Sequence, residues 1–107
     1  MKWAEHLYIG KRIEDRYPKV RAALDASKRP AYCYLLTLPT SQYNQLEIIH
    51  SFQFYKNKPY IKMPLIVGLA ADYDESRQLV MSITNEVYQA TGDVDIRSYI
   101  LQREGST

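Results

Sequence analysis

Two short and almost unbroken apolar runs constrain this chain most: residues 31–38 (AYCYLLTL) and 64–70 (PLIVGLA). Each falls far below the roughly 18 to 20 apolar residues that cross a bilayer. Each is also short for a buried helix, and the first is rich in aromatic side chains. The first therefore reads as a strand mostly covered on both faces, and the second as a central strand of the same sheet.

The flanking segments supply helices. Pro18 is tolerated only in a first helical turn, which predicts a helix over 16–27 with Asp15 as its N-cap. Tyr17, Val20 and Leu24, with Ala23, then share one face at spacings of three and four. Upstream, Trp3, Leu7, Ile9 and Ile13 fit either a short helix or an irregular arm, and the pattern does not choose. Residues 46–55 alternate, with Leu46, Ile48, His50, Phe52 and Phe54 on one side, which predicts a half-buried strand in a hairpin with 31–38. Residues 39–45 form the turn between them, and 56–59 are a polar connection.

Asp72 and Glu75 have the spacing of a capping box, which predicts a helix over 74–91 stopped by Gly92. Leu79, Val80, Ile83 and Val87 make its buried stripe, and Met81 and Tyr88 extend its apolar surface to the flank. In 93–101, Val94, Ile96 and Ile100 fit a fourth strand while Asp95 could cap a helical turn; the strand is preferred. Residues 103–107 are expected to fray. The predicted fold is an α+β two-layer sandwich: a three- to four-stranded, mainly antiparallel sheet with two helices packed on one face.

At 107 residues the chain is long enough for a single core, and 46% hydrophobic with 24% charged residues describes an ordinary globule. The first residues carry no apolar stretch of signal-peptide type, so a cytoplasmic location is expected. A lone cysteine, Cys33, excludes intramolecular disulfides and multi-cysteine metal sites. The net charge of +2 is too small to argue for nucleic acid or a membrane surface. Its distribution is uneven: residues 1–62 carry 11 basic and 5 acidic side chains, and 63–107 carry 3 and 7. Such a split suits head-to-tail self-association or steering of an anionic partner, and it equally suits solvated faces.

His50 interrupts an apolar face. An imidazole there could serve as a base, or could be held by a backbone carbonyl or a tyrosine hydroxyl. Cys33 would make a thiolate pair with His50 if the hairpin register set them side by side, and otherwise acts as a small hydrophobe. The acidic groups 72–75 and 93–95 could suggest a divalent cation, but they flank one helix roughly 25 Å apart, and capping accounts for the first. No phosphate loop, nucleophile elbow or zinc-helix motif is present, so neither a cofactor nor a metal is expected.

Ten tyrosines are the clearest compositional departure. Tyr32, Tyr34, Tyr43, Tyr55 and Tyr60 gather on or around the predicted hairpin, where they could pack across strands or meet a partner. The leading expectation is a non-catalytic interaction module that forms a homodimer through an exposed tyrosine-bearing sheet face or edge, with a protein partner also possible and no membrane partner. A second is nucleic-acid association through Lys56, Lys58 and Lys62, interleaved with tyrosines, together with Arg16, Lys19 and Lys28. A third is a small hydrolase-type enzyme centred on His50.

Overall fold

A computed structural model describes residues 2–26, 32–39, 45–56 and 64–105. In chain order the elements are β1 (Lys2–Ile9), α1 (Tyr17–Asp25), β2 (Tyr34–Leu38), β3 (Glu47–His50), α2 (Ser51–Lys56), β4 (Leu65–Ala70), α3 (Tyr73–Thr91) and α4 (Ile96–Arg103). The four strands form one sheet in the order β1-β4-β2-β3. The two apolar runs thus take the central positions that their composition requires.

The fold is α+β, and the sheet is mixed. β2 pairs antiparallel with both β3 and β4, but β1 runs parallel to β4. The amino-terminal segment, open between helix and arm on sequence grounds, is this edge strand. Its register slips between Trp3 and Tyr8, which face Ile66 and Gly68 respectively. Glu104 covers part of its outer edge, accepting hydrogen bonds from the Glu5 amide at 2.9 Å and the His6 amide at 3.4 Å.

The layering differs from a sheet with one bare face. Leu36, Leu38 and Val67 pack with Ile83 and Val87 of α3 and Ile96 and Ile100 of α4. On the opposite side Leu35, Ile66 and Leu69 pack with Ile13 and with Val20 and Leu24 of α1. Two helices do share one face, but they are α3 and α4; α1 covers the other. The reason is the apolar character of β2 and β4 on both sides, which leaves two surfaces to remove from water.

Local signals explain most boundaries. Asp72 is the N-cap of α3, its Oδ1 accepting the Glu75 amide at 2.8 Å, and Gly92 ends the helix in the left-handed region at φ 74°. The expected Asp15 cap of α1 is not used. The chain enters that helix from a preceding turn, so Arg16 caps with helical backbone angles and no side-chain bond.

One expected strand is cut short, with β3 forming the predicted hairpin with β2 before a helix begins, and another is helical. Residues 46–55 leave the sheet at His50, where the Ser51 amide donates to the Cys33 carbonyl at 3.0 Å and α2 begins. Residues 93–101 contain α4, capped by Asp95 through the Ser98 amide at 3.2 Å and the Ser98 hydroxyl at 2.8 Å. Arg103 ends α4 and donates to the Tyr8 hydroxyl at 2.7 Å. Among the described residues no helix is long and apolar enough to cross a membrane.

Candidate functional site

At one end of the sheet, antiparallel pairing sets Tyr34 of β2 opposite His50 of β3 on one side and Ala70 of β4 on the other. Because β4 stops there and α3 starts, Tyr73 arrives beside Tyr34, with ring centroids 5.8 Å apart. Tyr32, just before β2, completes the group. Its ring lies 4.4 Å from His50 and 5.8 Å from Tyr34, while Tyr34 and His50 are 4.9 Å apart, all edge to face. Phe52 tilts against His50 with ring centroids 5.0 Å apart. Such arrangements set the positive rim of one ring against the negative face of the next.

The polar atoms are as ordered as the rings. His50 Nδ1 accepts the Phe52 amide at 3.0 Å, which places the proton of the neutral imidazole on Nε2. The Tyr32 and Tyr34 hydroxyls are 3.3 Å apart, and this hydrogen bond, with some desolvation, raises Tyr34 above the ordinary phenol range. Tyr34 therefore keeps its proton at physiological pH. Tyr32 and Tyr73 nonetheless keep 55% and 53% of their surface exposed, so two large rings face solvent beside the better-held pair.

A carboxylate junction borders this group. Glu75 is buried, and its oxygens accept the Ala71 amide at 2.8 Å and the Arg12 amide at 3.0 Å. It thereby clamps the loop after β1 to the start of α3. Arg12 Nη2 donates to Asp72 at 2.8 Å. Gly10 lies against the clamp so closely that a Cβ would overlap the Glu75 carboxylate.

A second polar cluster, unnoticed in the sequence, ties α4 to β1 and α3. Glu86 Oε2 accepts from Tyr8 at 2.7 Å, Tyr99 at 3.0 Å and Arg103 at 3.3 Å. The guanidinium lies 5.2 Å from the Tyr8 ring centroid and 5.5 Å from that of Tyr99. Burial and the bond to Glu86 push the Tyr8 hydroxyl up to about 12. Partial burial would raise the Glu86 carboxyl, but the two phenol donors and Arg103 outweigh it and hold it below its ordinary range. Tyr99, Gln102 and Arg103 line a cavity of about 360 Å³ here.

The sequence-predicted residues thus separate. Tyr32, Tyr34 and His50 converge, and Tyr73 joins them unforeseen. Cys33 does not pair with His50: Tyr34 holds that register position, and Cys33 is buried in the core on the α1 side, where desolvation raises its thiol. Tyr55 and Lys56 fall on α2. Tyr43, Tyr60, Lys28, Lys58 and Lys62 lie outside the described residues. Arg16 and Lys19 are exposed near the start of α1. Among the described residues, no three histidine, cysteine, aspartate or glutamate side chains converge as a metal site would require.

No family model, no curated protein and no solved structure matches this chain.

Proposed function

We propose that the chain is a non-catalytic recognition module that binds a flat, ring-bearing ligand at the phenol and imidazole group formed by Tyr32, Tyr34, His50 and Tyr73. One observation carries the reading. Two of these rings are more than half exposed while the other two fix their positions. Rigid, half-wet aromatic rings lose little side-chain freedom on binding, and each offers an apolar face with a hydroxyl at its rim. Helices pack on both sheet faces, α3 and α4 on the side of Leu36 and α1 on the side of Leu35, which does not favour self-association through an open sheet face.

The test is an NMR titration of the full chain with a tryptophan-bearing peptide and, separately, with an oligothymidylate. Saturable shifts centred on Tyr32 and Tyr73 with either probe, abolished in the Tyr32→Ala/Tyr73→Ala variant, support the reading. Shifts elsewhere, or none with both probes, refute it.

Chain connectivity favours a second reading. Lys28 and Arg29 precede Tyr32 by four and three residues, and Lys56, Lys58 and Lys62 follow His50 within twelve. Cationic segments next to stacking rings suit single-stranded nucleic acid. Affinity for the oligothymidylate should then fall steeply with salt, because neutralised phosphates release counterions. Salt-independent binding would dismiss this reading and leave the first.

A further inference from the structure

The polar cluster that ties α4 to β1 leaves one of its own members unfinished. Arg103 Nη1 is spent on the Tyr8 hydroxyl at 2.7 Å and on Glu86 at 3.3 Å. Its Nε and Nη2 have no hydrogen-bond partner among the described residues, although both are screened from bulk solvent. These two atoms form the side-on edge of a guanidinium, where two N–H groups point the same way at the spacing of the two oxygens of a carboxylate. A buried cationic donor without an acceptor is costly, and two of them on one edge call for an occupant.

The neighbouring groups hold that edge in place without using it. The Tyr8 and Tyr99 ring centroids lie 5.2 and 5.5 Å from the guanidinium carbon, and both phenol hydroxyls are turned to Glu86 Oε2. With Tyr99 and Gln102, Arg103 lines the cavity of about 360 Å³ on this side of α4. Gln102 is the exposed wall, and its side chain makes no hydrogen bond among the described residues, so it is free to swing aside and admit a ligand. We infer that the cavity is a binding site for a singly charged carboxylate with an apolar tail, its two oxygens on Arg103 Nε and Nη2 and its tail against the Tyr99 ring. Glu86 sets the charge limit. Its Oε2 already spreads its charge over three donors, so one further carboxylate is tolerated nearby, whereas a phosphate dianion meets stronger repulsion. The inference is independent of the ring cluster, because Tyr8 lies on edge strand β1, two strands away from the β2 that carries Tyr34.

The test is a titration of the full chain with hexanoate, read at the arginine Nε–Hε NMR resonances. Hexanoate has no ring to stack, which keeps the readout apart from the proposed ligand of Tyr32 and Tyr73. One arginine resonance, identified by its loss in Arg103→Lys, should move saturably, while hexanol and inorganic phosphate leave it in place. Arg103→Lys should weaken hexanoate binding by about tenfold or more, since an ammonium cannot offer two parallel donors. Gln102→Trp should fill the mouth of the cavity and abolish the hexanoate response with an unchanged circular dichroism spectrum, which separates a blocked site from a misfolded chain. Three results would each overturn the inference: an Arg103 resonance that ignores hexanoate, a response to hexanol or phosphate equal to that with hexanoate, or saturation undiminished in Gln102→Trp.

Discussion

Tyr34 and His50 face each other across β2 and β3 with ring centroids 4.9 Å apart and planes at 89°. The contact fixes where the last rung of the hairpin ends, because the His50 amide is already turned to Gln53 Oε1 at 3.0 Å and its Nδ1 to the Phe52 amide. His50 is therefore both a ring in the cluster and the acceptor that helps start α2. His50→Ala should cost about 1–2 kcal/mol in urea unfolding, from lost ring contacts and a lost cap-like bond. His50→Asn should recover part of this, since its carbonyl can accept the same amide. Equal losses for the two variants would show that the acceptor contributes nothing.

Glu86 makes part of the stability dependent on acid. Its folded-state carboxyl titrates below its ordinary value of 4.5, so the stabilisation is complete above that pH and is lost as pH falls through the lower folded value. Glu86→Gln should flatten this acid limb and cost about 1 kcal/mol at neutral pH, a modest figure because the side chain is 40% exposed. At the alkaline end Tyr8 behaves oppositely. Its hydroxyl rises from 10.0 to about 12, so its contribution is intact below pH 10 and disappears as pH climbs through about 12. Phenolate absorbance should show a late-titrating component, and Tyr8→Phe should diminish it. Ten phenols ionising together would contradict the cluster.

Gly10 and Glu75 occupy one another's space, so their variants should not add. Gly10→Ala forces the buried carboxylate away from the Ala71 and Arg12 amides, leaving buried donors unmet, and should cost about 2–4 kcal/mol. Glu75→Ala loses the same two bonds. In the double variant Gly10→Ala/Glu75→Ala the overlap is gone, and the loss should fall well short of the sum of the singles. Strict additivity in thermal unfolding would mean that the contact does not govern the junction.

The parts of this fold legible in the sequence are those whose period or punctuation admits a single solution. Asp72 and Gly92 bracket α3 with a side-chain cap and a left-handed residue, and β2 and β4 are too short and too apolar for anything else. The misread parts satisfy two periods at once. Ile96 and Ile100 are four apart, an even number that keeps one side of a strand and also nearly one turn of a helix, and only the Asp95 to Ser98 cap decides between them. The second cover over the sheet was legible in Leu35 and Leu36, successive buried residues that point to opposite faces, and a one-faced sandwich leaves half of that pattern unexplained. In the candidate site, hairpin register brings Tyr34 to His50. Tyr73 comes from the first turn of α3 and Arg103 lies 95 residues from Tyr8, so neither neighbourhood has a local signature.

Cys33 gives the clearest chemical check on the register, because one slipped residue in β2 would bring its thiol to the side now held by Tyr34. In the observed pairing the thiol is fully buried among Leu35, Ile66 and Val20, and desolvation raises it above its ordinary value of 9.0. A buried protonated thiol is a poor nucleophile. Iodoacetamide should therefore modify Cys33 slowly in the folded chain and rapidly in urea, with no acceleration near the titration range of an imidazole. Cys33→Ala should be tolerated at about 1 kcal/mol, since it deletes one small apolar atom from a packed core. Cys33→Asp should cost far more, about 3 kcal/mol or above, because it buries an unpaired charge. Fast alkylation with a bell-shaped pH profile would instead place Cys33 beside His50 and require a different strand register.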